Sequence, residues 1–153
     1  MELSNKDQQL LALLQSDCRI PNAELAEKVG MSSSACWRRV RALEEAGVIE
    51  RYKAVLSSAR LGLTFQAVVH VQLTRHDPDA LQAFIEGVAS RREVQACYAT
   101  TGQADYHLLI KCKSIESFNQ FQDDFLFQLP AIRSAQTNVV LREISTSGSG
   151  LSL

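Results

Sequence analysis

Serine, tryptophan and arginine side chains between positions 32 and 41 supply the strongest candidate chemistry in the chain. Guanidinium groups and hydroxyls donate hydrogen bonds to phosphate oxygens and to the base edges of DNA. On a helix, which turns about 100° per residue, Ser34, Trp37, Arg38 and Arg41 lie opposite an apolar stripe of Cys36, Val40 and Leu43. The pattern predicts a helix with one buried face and one face for double-stranded DNA. The candidate contacts are Ser32, Ser33, Ser34, Trp37, Arg38 and Arg41.

An ordinary solvated helix face is the alternative interpretation of the same residues. Glu44 and Glu45 follow at helical spacing, where an acidic side chain can pair with Arg41. An exposed tryptophan fits this alternative poorly, because large apolar side chains are usually buried or used in binding. We therefore expect Trp37 and the arginines to contact DNA.

Two short helices that meet at a glycine turn position this face. The first is predicted to start with Asn22 as its N-cap. The second is predicted to be capped by Ser32 or Ser33 and to end at Gly47, since glycine accepts the left-handed conformation that closes a helix. A further helix over residues 5–16 precedes them, so the sequence predicts a three-helix, helix-turn-helix head.

The positive charge of this head is local. Residues 1–53 contain eight Lys and Arg and eight Asp and Glu. The arginines cluster at Arg38, Arg39 and Arg41. A head without net charge has little general attraction for DNA, so we expect affinity to come from several heads acting together in an oligomer.

Length and composition bound the class of protein. The chain has 153 residues, of which 46% are apolar, enough for one or two small cores. No apolar run approaches the roughly eighteen residues of a membrane span, and the polar amino terminus does not resemble a signal peptide. We expect a cytoplasmic protein without membrane contact.

The four cysteines lie far apart and form no Cys-x-x-Cys pair. Cys36, Cys97 and Cys112 fall in apolar helix or strand patterns, so we predict that they are buried small hydrophobic residues. Their spacing predicts no metal site.

After residue 64 the apolar pattern changes from helical to strand spacing. Strands are predicted over 65–73, 94–100, 106–113 and 135–144, with helices over 77–90 and 114–129 between them. This order predicts an α+β, ferredoxin-like βαββαβ domain with both helices on one face of an antiparallel sheet. The second face of such a sheet lacks a cover, which predicts a homodimer formed by two sheets.

Two motifs, taken with this order of elements, carry a resemblance to a known family. One is the run Cys36-Trp-Arg-Arg-Val-Arg-Ala-Leu-Glu-Glu-Ala-Gly-Val-Ile49. The other is Gly102-Gln-Ala-Asp-Tyr106, with Glu93-Val-Gln-Ala-Cys-Tyr98 just upstream. In this order and spacing the chain resembles the Lrp/AsnC family, the leucine-responsive or feast/famine regulators, over essentially its whole length.

The resemblance implies a sequence-specific DNA-binding transcriptional regulator whose operator binding or assembly state responds to a small effector, usually an amino acid. It implies no enzymatic activity and no further cofactor. It also implies a homodimer that assembles further, commonly to an octamer, with the effector between dimers near the glycine-aspartate loop. Carried onto matching positions, the effector contacts are Tyr98, Thr100, Thr101, Gly102 and Asp105, with Thr137 and Val139 on the last strand.

The loop motif has a physical interpretation of its own. A glycine turn exposes backbone amides that can hold a carboxylate, and Asp105 can accept from an ammonium group. In the alternative, Gly102 only permits a tight hairpin, and Asp105 caps that turn through its own backbone. The two central motif positions are often aromatic or acidic in the family but are Gln103 and Ala104 here, so the identity of the effector is not transferred.

The predicted domains are a helix-turn-helix DNA-binding domain over 1–50, an extended connector over 51–63, a ferredoxin-like effector-binding and oligomerisation domain over 64–145, and a flexible tail over 146–153. The β-branched and aromatic residues of 48–56 predict an extended strand, as a wing of the head or as a connector.

Two other functions fit parts of the chain. A ferredoxin-like small-molecule-binding domain or enzyme would use the head only for assembly, but no nucleophile, base and orienting group stand together in the sequence. An architectural DNA-binding protein would have no effector. A lack of DNA affinity would favour the first alternative over a regulator. If amino acids change neither thermal stability nor DNA binding, the second alternative is favoured.

Overall fold

The computed structural model of the protein describes residues 2–74 and 77–144. The chain divides into two compact units, one built on the residues up to Val55 and the other on Leu56–Glu143. Each unit has its own hydrophobic core. Within the described ranges no helix is long and apolar enough to span a membrane. The predicted flexible tail over 146–153 lies outside the described residues.

Three helices form the first unit, the head: α1 (Asn5–Ser16), α2 (Asn22–Val29) and α3 (Ser33–Glu45). Their apolar sides meet in a buried core of Leu10, Leu25, Ala26, Val29 and Cys36. Within the predicted apolar stripe of α3, Cys36 and Leu43 are both 0% exposed. The helix-turn-helix predicted from the sequence is confirmed.

The helix ends of the head follow the sequence signals with one exception. The Ser32 hydroxyl caps α3 by accepting a backbone N–H of the first turn at 3.3 Å. Gly30 and Gly47 follow α2 and α3 with φ of 64° and 71°, the left-handed conformation of a C-terminal glycine. The predicted cap Asn22 is wrong. It is the first residue of α2, and its amide donates to the Ser33 carbonyl at 2.9 Å, which ties the start of α2 to the start of α3.

A four-stranded antiparallel sheet forms the second unit. Its strands are β1 (Phe65–Leu73), β2 (Val94–Ala99), β3 (Tyr106–Cys112) and β4 (Ile132–Val139), in the spatial order β2-β3-β1-β4. Helix α4 (Pro78–Ser90) connects β1 to β2, and α5 (Ile115–Asp124) lies between β3 and β4. This is the ferredoxin-like βαββαβ arrangement, so the predicted α+β fold is confirmed.

Alternate residues of β1 point to opposite faces of the sheet. Ala67, Val69 and Val71 are 0% exposed and pack in one core with Phe84 of α4 and Phe118 of α5. The residues between them lie on the other face, together with their cross-strand neighbours on β2, β3 and β4. We call this surface, which includes Gln66, Val68, His70 and Gln72 of β1, the open face.

The predicted strand over 48–56 is wrong, because those residues form neither helix nor strand. The four strands of the second unit make up the sheet of the described residues. A segment of high β propensity becomes a strand only when a neighbouring strand accepts its hydrogen bonds. No strand of the described chain pairs with 48–56.

Two further boundaries differ from the prediction. Strand β4 ends at Val139 rather than at 144, because Val139 pairs with Ala67 near the beginning of β1 and little partner strand remains. Helix α5 ends at Asp124 rather than at 129 and is followed by a short 3-10 turn, Leu126–Gln128. The break places Leu126 in the core, where it is 0% exposed.

The predicted burial of the cysteines holds at two of three positions. Cys36 and Cys112 are buried, whereas Cys97 is exposed. Cys97 lies on β2, which is an edge strand of the sheet, and an edge strand has a neighbouring strand on one side only. The apolar composition of β2 therefore did not determine whether Cys97 is buried.

Candidate DNA-binding face and effector loop

The solvent side of α3 carries the predicted DNA contacts. Trp37 is 57% exposed, and its neighbours on this side are also exposed: Ser33, Ser34, Arg38 and Arg41. The Arg41 guanidinium carbon lies 5.8 Å from the centre of the Trp37 ring, within cation–π range. Ser32 adjoins this surface at the start of the helix. All six candidate residues are therefore exposed, the serines at the start of α3 and the others within its first three turns.

The solvated-face alternative accounts for part of this surface. The nearest charged atoms of Arg41 and Glu44 are 3.9 Å apart, a weak surface ion pair. The Tyr52 hydroxyl also donates to Glu44 at 2.8 Å. Burial, together with this carboxylate, raises the pKa of Tyr52 to about 12. Glu44 thus divides its interactions between two partners, and Arg41 is held only loosely.

Trp37 has a structural contact as well as an exposed surface. The ring lines a cavity of about 210 Å³ together with Ile20, Val40 and Tyr52. One side of the tryptophan therefore belongs to the head, while more than half of the side chain faces solvent.

Arg39 lies outside the predicted DNA-binding face, although the sequence places it in the same arginine cluster as Arg38 and Arg41. Its guanidinium donates to both oxygens of the Asp7 carboxylate, with Nη2 at 2.6 Å from Oδ2. Asp7 is 1% exposed and also accepts from the backbone and hydroxyl of Ser4 at 2.8 and 2.7 Å. The hydrogen bond from Arg39 is the main cause that holds the pKa of Asp7 well below its usual range. This ion pair joins the start of α1 to the middle of α3.

Two features of the sequence indicate this ion pair. Arg39 lies three residues after Cys36, so the helical rotation places it within about 60° of the apolar stripe rather than opposite it. The Ser4-x-x-Asp7 spacing is that of a capping box. An arginine beside a core stripe and an acid fixed at a helix start are candidates for one buried pair.

The loop between β2 and β3 is a tight, hydrogen-bonded turn. The Thr100 backbone N–H donates to the Asp105 carbonyl at 2.9 Å, and the Thr100 hydroxyl donates to the Ala104 carbonyl at 3.1 Å. Gly102 has φ of 131°, which residues with a side chain rarely adopt. Thr101, Gly102 and Gln103 are exposed at the tip. Glycine is therefore required here by the backbone, whatever the loop binds.

Asp105 also has a structural role beyond its own turn. Its carboxylate accepts from the Leu73 backbone N–H at 2.8 Å, and its own N–H donates to the Val71 carbonyl at 2.9 Å. Gln72 adds a hydrogen bond from its amide to the Gln103 carbonyl at 2.6 Å. Asp105 therefore closes its own turn through its backbone carbonyl and also fastens the loop to the end of β1.

An apolar cavity of about 470 Å³ opens beside this aspartate. Its lining includes Asp105, Asp77 and Thr74 together with four apolar or aromatic residues: Leu73, Pro78, Leu81 and Tyr106. Cavities of this size and lining are typical of small-molecule sites.

The structure brings together only some of the predicted effector residues. Thr100, Thr101, Gly102 and Asp105 share the loop, and Tyr98 is 62% exposed on the open face at the end of β2. Thr137 and Val139 lie on β4, at the opposite edge of the sheet. They pair with Val69 and Ala67 and so project to the helix side. Within one chain the two groups do not form a single site.

Among the described residues, no group of three or more His, Cys, Asp or Glu side chains is placed to hold a metal ion.

The chain matches two family models. One, described as the Lrp/AsnC ligand binding domain, matches residues 66–149. The other, described as winged helix-turn-helix DNA-binding, matches residues 3–50. These ranges correspond to the second unit and to the head.

Curated and solved relatives agree with the family models. The transcriptional regulator AzlB of Bacillus subtilis is 35% identical over 139 residues, covering 91% of this chain and 88% of that protein. The leucine-responsive regulatory protein of Escherichia coli is 33% identical over 146 residues, covering 95% and 89%. The crystal structure of the transcriptional regulator NMB0573 of Neisseria meningitidis, in complex with L-Met, has a TM-score of 0.93 at 35% identity and covers 98% and 97%.

Proposed function

The chain belongs to the Lrp/AsnC family of DNA-binding transcriptional regulators, and we propose that the exposed face of α3 reads its operator while an amino acid binds at the 100–105 loop. The observation that carries the proposal is the coexistence of both surfaces in one chain. The arginine and tryptophan face lies on a helix whose other side is buried in the head, and Asp105, at the end of the glycine loop, lines a cavity with apolar walls.

The DNA-reading role is assigned to Ser32, Ser33, Ser34, Trp37, Arg38 and Arg41. Recognition helices of helix-turn-helix proteins enter the major groove with their amino-terminal residues against base edges. The serines stand at the amino-terminal end of α3, and the two arginines follow on the same exposed surface. Two heads of a symmetric dimer would read a roughly palindromic operator.

The effector role is assigned to the loop and its cavity. A carboxylate accepts several hydrogen bonds at once, so Asp105 can hold the Leu73 N–H and also contact an ammonium group. The exposed backbone around Gly102 suits the effector carboxylate. Leu73, Pro78, Leu81 and Tyr106 give the cavity an apolar character, which favours an amino acid with an apolar side chain. The L-Met complex of the Neisseria regulator is consistent with this class.

Assembly follows from the uncovered sheet. Homo-oligomerisation is typical of this family, and we assign the open face to a homodimer. Among the described strand residues paired across the sheet, Lys111 is the one charged side chain on this face. A nearly neutral surface can stack on its own copy without like-charge repulsion. Further association to an octamer would bring Thr137 and Val139 of one chain toward the loop of another.

The regulator role accounts for more of the chain than either rival does. An enzyme would need a nucleophile, a base and an orienting group, and the relatives are named as regulators. An architectural protein would leave the loop cavity without a role.

A thermal-shift titration with the twenty amino acids tests the effector assignment. A true effector raises the melting temperature with concentration, because it binds only the folded state. Asp105→Asn keeps an acceptor for the Leu73 N–H but removes the charge, and it should abolish the shift. Asp123→Asn, an exposed substitution on α5, is the matched control and should leave the shift intact. An unchanged response in Asp105→Asn would place the effector elsewhere.

A further inference from the structure

The centre of the open face is polar. One row of side chains crosses all four strands: Tyr98, His107, His70 and Gln136. The neighbouring rows add the amide of Asn138 and the hydrogen-bonded pair Gln72 and Ser134, whose side chains are 2.9 Å apart. Most of these groups line a shallow cavity of about 550 Å³. A sheet face used only for apolar packing would not carry this row.

Two histidines at the centre of the row are hydrogen-bonded to each other. The Nδ1 atoms of His70 and His107 are 2.7 Å apart, and the rings meet edge to face with centroids 4.6 Å apart. On its other side, Nε2 of His70 lies 2.8 Å from the side-chain amide nitrogen of Asn138. His70 and His107 are cross-strand partners on the two central strands, so the backbone register fixes their proximity.

This geometry limits the number of protons on the pair. A neutral imidazole has one N–H and one bare nitrogen, whereas an imidazolium has an N–H at both positions. An Nδ1 to Nδ1 hydrogen bond needs one donor and one bare acceptor. When both rings are imidazolium, two N–H groups point at each other and the hydrogen bond is lost. The pair is therefore intact only while at least one ring is neutral.

The side chains that pair with these two rings across the described sheet are neutral. Tyr98 of β2 lies beside His107, and β4 contributes the neutral side chains of Gln136 and Asn138. Along β3 the next charged side chain on this face is Lys111, which is 3.6 Å from Glu143 and 3.2 Å from Ser58. The loop contributes the backbone of Gln103. A proton gained by the histidines therefore adds positive charge to a face whose cross-strand neighbours are neutral.

We propose that the His70–His107 pair makes association of two copies through the open face weaken as the pH falls. This inference rests on the homodimer proposed above. An isologous interface applies the same patch of both copies to each other, so it buries a histidine pair from each chain between the two sheets. Protonation then places like charges in a desolvated contact, which is costly.

Proton linkage gives the size of the effect. The dimer dissociation constant rises about tenfold per pH unit for each proton that the free chain binds and the dimer excludes. Imidazole side chains ordinarily gain a proton between about pH 8 and pH 5. With one histidine pair from each chain, we expect the dissociation constant to be ten to a hundred times larger at about pH 5.5 than at about pH 7.5.

Sedimentation velocity of the full chain, without DNA or amino acid and at constant ionic strength, measures the monomer–dimer step at both pH values. The double variant His70→Gln/His107→Gln should lose the pH dependence, because glutamine stays neutral. His76→Gln removes the third histidine of the chain and should keep it. Since the double variant removes a half-buried contact, the single variant His107→Gln and a thermal melt of each protein serve as folding controls.

One more variant distinguishes failure of the pH proposal from failure of the proposed dimer. Val68→Glu places a charge on the open face and should abolish the dimer at both pH values. If Val68→Glu does so but wild-type dimerisation is independent of pH, or weakens equally in the double variant, the histidine inference is overturned and the dimer stands. If Val68→Glu leaves association unchanged, the open face is not the interface and both proposals fail.

Discussion

Replacing Asp7 by asparagine tests how the recognition helix is held. The carboxylate is 1% exposed and accepts four hydrogen bonds, two from Ser4 and two from Arg39. Asparagine has nearly the same shape but no charge, and its NH₂ group meets donors where the carboxylate had an acceptor. Asp7→Asn therefore disrupts the contact between α1 and α3 without creating a cavity.

The expected loss follows from the exposure of the two partners. Hydrogen bonds to a charged group contribute about 1.5–3 kcal/mol each, and breaking a fully buried ion pair costs about 3–5 kcal/mol. The Arg39 side chain is 33% exposed, so water compensates part of the loss. We expect the free energy of unfolding of the head to fall by about 2–3 kcal/mol, which lowers the urea midpoint by roughly 1–2 M for a small domain.

Fluorescence during a urea titration isolates this effect. The one tryptophan of the chain, Trp37, lies in the head, so its emission follows the unfolding of that unit. Glu24→Gln is the matched control, because it breaks an ion pair to Lys28 in which both side chains are about half exposed. Such a surface pair contributes at most about 0.5 kcal/mol. Equal midpoints for Asp7→Asn and Glu24→Gln would refute the role assigned to Asp7.

The same ion pair gives the head a pH dependence of defined sign. Arg39 holds the pKa of Asp7 below its usual range in the folded head. The unfolded chain therefore binds a proton on Asp7 at a pH at which the folded head does not. Stability is full above the unfolded pKa of about 4 and falls as the pH drops below it. Asp7→Asn should remove this part of the acid sensitivity, and an unchanged acid profile would contradict the assignment.

Three further predictions concern the two binding surfaces. Arg38→Ala and Arg41→Ala should each weaken operator binding about tenfold in a fluorescence-anisotropy titration at fixed salt, as expected for a base or phosphate contact, whereas exposed Arg92→Ala in the second unit should not. A contact to phosphate should also reduce the salt slope by about one per arginine. Gly102→Ala should cost about 1–3 kcal/mol in a thermal melt, because the backbone has φ of 131° while nothing lies within 4 Å of an added Cβ. A stable Gly102→Ala protein would show that the loop relaxes readily.

Local signals predicted the elements of this fold well. The apolar stripe and Gly47 located α3, alternation located β1, and Asp77 with Pro78 marked the start of α4. Each depends on neighbours in sequence, such as a cap, a turn or a period. The order of the elements then determined the ferredoxin-like topology.

Features that depend on distant partners were predicted less well. The strand expected over 48–56 has no partner in the chain, and Cys97 is exposed because β2 is an edge strand. The role of Arg39 depends on Asp7, which is 32 residues away. The Asp105 carboxylate likewise accepts from Leu73, which is 32 residues away in the sequence. Composition and spacing show which groups are available, but the tertiary structure determines their partners.

Selection of duplexes from a random DNA library by the full chain, with and without amino acids, tests the central claim most directly. The account predicts enrichment of a roughly palindromic site whose affinity, measured afterwards by anisotropy, changes when an apolar amino acid is added. Enrichment with an affinity that no amino acid alters would contradict the regulatory role of the loop. A library that stays random after selection would contradict DNA reading by α3.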